Sequence, residues 1–278
     1  MTRPAALAAA VGAIGAPALA QPAPDKSGYT ILNPTPPELR RPLAADRPDA
    51  TESPYTVDAG AFQIELSFVE YAFNRENTAR EVTLSVAPIN IKAGITNDLD
   101  LQLTLNPYER AWSDVDDDAD GVGSLGLRAK VNLWGNDDGP TAMALLPYVV
   151  FPTGDDDVSA DEFEYGLVVP FAAELPGGWG LGLQGEIGAV SAGSGGGTDL
   201  LLSHTAVLGR DIVGDLAGYV EYIGEVAFDG DAEYRPSVAG GLTYALTEDA
   251  QLDIGVVVGL DNPDTEDVRF FSGITLRF

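Results

Sequence analysis

Arg269-Phe270-Phe271-Ser272-Gly273-Ile274-Thr275-Leu276-Arg277-Phe278 alternates apolar and polar side chains and stops on an aromatic ring. Successive side chains of an extended strand point to opposite faces, so Val268, Phe270, Ile274, Leu276 and Phe278 share one face. Arg269, Gly273, Thr275 and Arg277 share the other. The closing strand of a bacterial outer-membrane β-barrel has this form, one face toward lipid and one toward an enclosed interior. A strand of a soluble sandwich shows the same alternation, so the rest of the chain has to decide.

Residues 1–20 read as a secretory signal peptide. Arg3 supplies a positive start, Ala5 to Ala16 an apolar run, and Ala18-Leu19-Ala20 a small-residue cleavage site. The apolar run is broken by Pro17 and falls short of the roughly 20 residues that a membrane-spanning helix requires. The mature chain is expected to begin near Gln21. The chain has no cysteine, which excludes a lipid-anchored cysteine and disulfide stapling.

Loss of the signal removes one cation, Arg3, and no acid, so the formal charge goes from −28 to −29. Such a field repels nucleic acid and other polyanions as partners. Mean hydropathy is +0.03, and no later segment is uniformly apolar over the length of a transmembrane helix. In a membrane barrel only every second strand residue meets lipid, which keeps the average near neutral.

Residues 21–60 carry Pro22, Pro24, Pro34, Pro36, Pro37, Pro42, Pro48 and Pro54. Proline lacks the backbone donor of a sheet ladder, so this stretch is expected to be an irregular periplasmic tail or a plug in the barrel mouth. From Ala61 the period becomes two, and residues 61–278 read as an all-β, antiparallel transmembrane barrel of about twelve strands. Phe62, Ile64, Leu66 and Phe68 mark the first strand. The second, 80–96, shifts phase at Pro88, as a bulge does. Leu99 to Leu105 mark the third and Leu125 to Leu133 the fourth. Residues 141–151 form a fifth strand that is apolar on both faces, so its orientation stays open. Phe163 to Phe171 and Trp179 to Ala189 give the sixth and seventh. The last five fall at about 199–210, 215–228, 234–246, 251–260 and 267–278.

Linkers after odd strands are long and acidic or glycine-rich. Those after even strands, such as Asn97-Asp98 and Pro176-Gly177-Gly178, are tight turns. A single-chain barrel with both termini in the periplasm sorts its loops in this way, and a sandwich has no reason to.

Asp46-Arg47-Pro48-Asp49-Ala50-Thr51-Glu52-Ser53-Pro54-Tyr55-Thr56-Val57, followed by Gly60, Phe62-Gln63 and Glu65, resembles the family described as "Putative MetA-pathway of phenol degradation". Leu146-Pro147-Tyr148-Val149-Val150-Phe151-Pro152-Thr153-Gly154, Gly166, Val168 to Phe171 and Leu175-Pro176-Gly177-Gly178-Trp179 extend the resemblance over most of the mature chain. It implies an outer-membrane barrel and, by the family's name, uptake of aromatic or other small hydrophobic compounds. Asp58 stands where proline is common in that family, and the loops here are unusually acidic.

Side chains opposite the apolar stripes are expected to line the lumen. Their cations fall on strands two, four and twelve (Lys92, Arg128, Lys130, Arg269, Arg277), their carboxylates on six, seven, nine and eleven (Glu164, Glu174, Glu186, Glu221, Glu225, Asp253). One reading is a field across an open pore that tunes selectivity. The other is a narrow lumen filled by paired charges, which Glu65 and Asp100 on the basic wall favour.

Asp114, Asp116, Asp118, Asp120 and Gly121 resemble the opening of a calcium loop, but Leu127 stands where a closing glutamate belongs. A hard cation bridging to lipopolysaccharide and a solvated acidic loop are both open. No other cofactor is implied. His204 is the only histidine; Ser203 beside it points to the opposite face and Ala206 shares its face, so no nucleophile and base meet locally. An enzyme is not expected. Trp112, Trp134, Trp179, Tyr71, Tyr108 and Phe228 lie near strand ends, as interfacial girdle residues do.

The leading expectation is an outer-membrane channel for passive uptake of small, aromatic or hydrophobic molecules, with outer-membrane lipid and lipopolysaccharide as surroundings. The rival is a structural or adhesive barrel with a filled lumen and cation-binding loops. Oligomeric state is not legible.

Overall fold

Alternation from Ala61 onward becomes twelve antiparallel strands in the computed structural model, which describes residues 24–278 apart from 77–78, 116, 157, 193–196, 229–231 and 261–265. The signal peptide expected at 1–20 lies outside the described residues. Strand β1 is Phe62–Glu76. β2 runs as Ala79–Val86 and Ile89–Thr96, β3 as Leu99–Leu105 and Tyr108–Ser113, and β4 as Ala119–Gly121 and Leu125–Trp134. Then follow β5 (Thr141–Phe151), β6 (Glu164–Leu175), β7 (Trp179–Ser191) and β8 (Thr198–Val213). The last four are β9 (Leu216–Phe228), β10 (Ala232–Thr247), β11 (Ala250–Gly259) and β12 (Val268–Arg277).

Each strand pairs with its neighbours in sequence, and β12 closes against β1 from Gln63↔Arg277 to Phe73↔Val268. The terminal phenylalanine completes the seam: Phe278 N donates to Phe62 O at 2.8 Å and Phe62 N to Phe278 O at 3.4 Å. A closed ladder leaves no edge of unpaired backbone groups in lipid, which the bilayer would penalise heavily.

Burial is inverted relative to a soluble protein. Lys92 and Lys130 are 1% exposed, whereas Leu101 is 48% and Phe270 54% exposed. The apolar stripes therefore face outward to lipid and the polar stripes inward. The chain resides in the bacterial outer membrane.

The phase shift expected at Pro88 is present. Ala87 adopts φ 60°, and β2 resumes at Ile89 with its inward set re-aimed to Asn90 and Lys92. Three neighbouring strands break at the same height. Ser67/Val69 in β1 faces the Ala87-Pro88 break, which faces Asn106-Pro107 in β3, and Gly123 N donates to Asn106 O at 2.8 Å.

The structure alters some boundaries. β3 continues past Leu105 through Tyr108–Ser113, and β4 begins inside the acidic loop at Ala119. The first extracellular connection is tight, with Glu76 paired to Ala79, so the long-loop pattern fails there. β5, left open in the sequence, turns Ala142, Ala144 and Leu146 inward, each 0% exposed. Ala144 is the register partner of Asn132, whose amide donates to Pro54 O at 2.9 Å. The inward face of β5 is apolar because the N-terminal segment crosses it.

Candidate functional site in the barrel lumen

Residues 24–61 hold no barrel strand. The stretch before Arg41 lies across the periplasmic end: Ile31 N donates to Ile95 O at 2.8 Å, and Lys26 Nζ pairs with Asp137 at 2.6 Å and Asp58 at 3.1 Å. The chain then enters the lumen and returns, and Arg41 ties the two legs at their base. Its backbone N–H donates to Asp58 Oδ2 at 2.9 Å and its guanidinium to Thr56 O at 3.0 Å and Asn97 Oδ1 at 2.9 Å. Asp58, the departure from the family pattern, thus accepts from both Lys26 and Arg41. The returning leg passes so near β2 that a Cβ on Gly94 would lie 2.0 Å from Asp58 O.

Residues 42–57 form a plug, because their partners surround them. Asp46 Oδ1 accepts from Lys130 Nζ of β4 at 2.6 Å, and Lys92 Nζ of β2 donates to both Asp46 and Glu65. Asp46 N donates to Glu65 Oε1 at 3.0 Å, and Ser53 N to Asp46 Oδ1 at 2.9 Å. Arg47 holds Asp253 of β11 through two nitrogens, Nη2 at 2.8 Å and Nε at 3.2 Å, and also donates to Ser67 of β1. Its guanidinium lies 5.9 Å from the Phe271 ring and fits against β12 because Gly273 has no side chain; a Cβ there would sit 2.5 Å from Nη2.

Beyond Pro48 and Asp49 the plug turns over. Ala50 N, Thr51 N and Thr51 Oγ1 all donate to the Glu221 carboxylate of β9, at 2.9, 2.8 and 2.6 Å. Thr51 and Thr205 of β8 share a hydroxyl contact of 2.5 Å. Glu52 N donates to Gln184 Oε1 of β7 at 2.7 Å, and its carboxylate accepts from Arg128 of β4. Val57 N donates to Asp100 Oδ2 of β3 at 2.9 Å. Hydrogen bonds and ion pairs to eight of the twelve strands place this loop inside the wall.

Glu221 lies five residues up β9 from Leu216. That is about 17 Å of strand, or about 13 Å of height at a tilt near 40°, roughly half of an apolar band about 25 Å tall. The plug fills the periplasmic half of the lumen. Above it a cavity of about 410 Å³ has Asp46, Arg47 and Glu52 in its floor.

Five of the eleven charges singled out in the sequence meet the plug rather than each other across open water. Lys92, Lys130 and Arg128 converge on Asp46 and Glu52, while Glu221 and Asp253 hold the opposite side of the same loop. Arg269 and Arg277 share the inward face but sit at the rims, Arg269 pairing with Glu266 at 2.8 Å and Arg277 with Asp249 at 2.6 Å. Alternation reports which face a side chain takes, not its height. Glu186 accepts from Tyr148 Oη at 2.8 Å and Ser203 Oγ at 3.1 Å, and Glu164 from Ser191 N at 2.9 Å. Glu225 is the register partner of Arg235, and Glu174 faces inward near the lower end of β6. Gln184, Thr205 and Ser67 were not singled out in the sequence, though their inward parity marked each as lumen-facing, whereas Tyr148 lies on β5, whose orientation the sequence leaves open.

The calcium expectation gains no support: among the described residues no three acidic or histidine side chains converge as a metal site. Asp118 pairs with Arg110 at 3.4 Å, Asp120 opposes Arg110 in the ladder, Asp114 N donates to Arg80 O, and Asp116 lies outside the described residues. His204 is on the outer face, its Nε2 3.3 Å from Tyr234 Oη, which in turn lies 2.6 Å from Tyr222 Oη.

Two acids of the plug, outside the spanning strands, respond oppositely to their surroundings. Burial pushes the Asp46 carboxyl up, but Lys130 and Lys92 outweigh it and hold the group well below 3.8. For Glu52 burial wins over Arg128 and, with Asp46 nearby, raises the group to about 7. A depressed acid contributes stability above its unfolded value and loses it on acidification, and a raised acid contributes below its unfolded value and loses it as pH passes its folded value. Docking is therefore expected to be tightest at about pH 4 to 4.5, to weaken as pH rises from there to about 7 and levels off, and to weaken again below pH 3.8. Protection of residues 42–57 from limited proteolysis across that range checks this; a monotonic rise to pH 9 would contradict it.

The fold has solved counterparts. A COG4313 outer membrane channel from Pseudomonas putida F1 is similar over 84% of this chain and 100% of its own, with 16% identity and a TM-score of 0.64. The β domain of the Bordetella autotransporter BrkA is similar over 78% of this chain and 98% of its own, with 17% identity and a TM-score of 0.50. A search of curated proteins finds no match. The family model described as "Putative MetA-pathway of phenol degradation" matches residues 45–278, from the plug's first lumen contacts to the closing strand, and the chain belongs to that family.

Proposed function

We propose that this barrel is an outer-membrane channel for passive entry of small solutes, shut from the periplasmic side by its own residues 42–57. The observation that carries the reading is the plug's mode of attachment. It is held by side-chain ion pairs and hydrogen bonds to eight strands and contributes no strand to the wall, so it can leave without opening the barrel ladder. A lumen filled only for stability needs no such detachable element; small barrels fill theirs with side chains of the wall itself. The fold shared with the Pseudomonas channel supports the reading.

The chemistry of the solute is a finer matter. The family's name points to aromatic compounds, and Pro88 and Val150 give the cavity apolar surface on which such a ring can rest. Planar-bilayer recordings of the refolded protein, with and without residues 24–57, test the proposal. Brief openings in the full chain and sustained conductance in the truncated one are expected. No conductance in either form, with a folded barrel, would leave the structural reading in its place.

A further inference from the structure

The cavity above the plug has an uneven charge balance. Four carboxylates line it, those of Asp46, Glu52, Glu65 and Glu70, against two guanidinium groups, those of Arg47 and Arg128. Arg47 places all three nitrogens on Asp253 and Ser67, and Arg128 donates to Glu52 through Nη2, its Nε having no hydrogen-bond partner among the described residues. Lys92 and Lys130 balance Asp46 and Glu65 from behind, with side chains 1–2% exposed, and do not line the space. Glu70 is the least committed acid. It accepts from Ser67 Oγ at 2.5 Å, its nearest cation is Arg47 at 3.8 Å, and its side chain is 26% exposed.

Pro88 and Val150 give the cavity apolar surface, and Asn90, Thr104, Asn106 and Ser124 give it neutral polar surface. The mouth above it adds long-range attraction of the same sign, since Asp114, Asp117, Asp118, Asp155, Asp156, Asp161 and Glu162 are exposed on the extracellular connections. A solute drawn through that field meets carboxylate oxygens with spare lone pairs and an apolar surface a few ångströms away.

We propose that this cavity binds a small organic cation, an ammonium or guanidinium group on an apolar body about the size of one aromatic ring, with Glu70 as its principal anchor. The inference rests on the lumen being a solute path and names the class of solute that path selects. Carboxylate solutes are disfavoured there, because the acids that line the cavity outnumber its guanidinium groups. Neutral analogues keep the apolar contact and lose the charge-assisted hydrogen bond, which is roughly twice as strong as a neutral one.

Fluorine NMR on the detergent-solubilised full chain at pH 7 tests this with three matched probes: 4-fluorobenzylamine, 4-fluorobenzyl alcohol and 4-fluorobenzoate. The ammonium is expected to bind about tenfold more tightly than either other probe, a difference of about 1.4 kcal/mol. Glu70→Gln is expected to remove most of that preference, and Val150→Trp, which fills the cavity and leaves the acids in place, to abolish binding of all three. Equal affinity for alcohol or benzoate, or unchanged ammonium affinity in both variants, would overturn the proposal; the order of the probes on the unaltered chain decides even if a variant fails to fold. Occupancy at equilibrium does not need flux. A selective site without conductance would refute the channel alone, and conductance without selectivity would refute this site alone.

Discussion

Asp46→Ala is expected to raise the channel's open probability about a hundredfold, the largest effect of any single substitution in the plug. Asp46 receives two lysines, and its removal leaves Lys130 beside Asp100 and Glu52, the latter at 3.7 Å, while Lys92 keeps Glu65. Breaking a buried ion pair by removing one partner costs about 3–5 kcal/mol, because the other charge is left in a low-dielectric site. The barrel escapes that cost by releasing the plug and letting water reach both ammonium groups. Single-channel recording in planar bilayers reads the result. Conductance as brief and rare as in the unaltered chain would mean that Asp46 does not hold the plug.

The second large effect is expected at Arg47, the plug's tie to the far wall. Arg47→Ala strands Asp253, whose side chain is 0% exposed, and should free the plug by a similar about 3–5 kcal/mol. Asp253→Asn in the same chain removes the uncompensated charge, so the double variant should recover much of the loss. Accessibility of residues 42–57 to a protease added to outside-out and inside-out vesicles measures both. Equal accessibility in the single and double variants would show that the pair is incidental. Arg47→Lys should restore the charge only in part, since one ammonium cannot replace the two parallel bonds that the guanidinium makes.

Strand alternation carried the barrel into view before any coordinates did. Leu99-Asp100-Leu101-Gln102-Leu103 states its two faces residue by residue, and the phase slip at Pro88 announces the bulge that re-aims Asn90 and Lys92. The inward parity of Lys92, Lys130, Glu221 and Asp253 was legible for the same reason. Their partners were not. Asp46 meets Lys130 across 84 positions and Arg47 meets Asp253 across 206, from a proline-rich stretch that has no period to extrapolate. Ala142, Ala144 and Leu146 leave their orientation open through chemistry rather than distance: an inward face covered by the plug is apolar, so the two faces of β5 look alike. Arg269 and Arg277 show the remaining gap, since a period of two gives direction but not depth along the barrel axis.

Asp58 illustrates how a departure from a family pattern acquires a physical role. Proline at this position would supply no side-chain acceptor, whereas the carboxylate here draws Lys26 and the Arg41 backbone into one knot at the plug's base. The loop is thus clamped at its root and latched at its tip, an arrangement that lets the tip swing while the root stays fixed.

Thr51 and Thr205 provide the most direct test of that motion, because their hydroxyls touch at 2.5 Å and the chain has no cysteine of its own. In Thr51→Cys/Thr205→Cys, single-channel conductance should vanish when the pair is oxidised and return when a reductant is added to the same bilayer. Identical currents in the two redox states, with the crosslink confirmed by mass, would contradict the account of residues 42–57 as the gate.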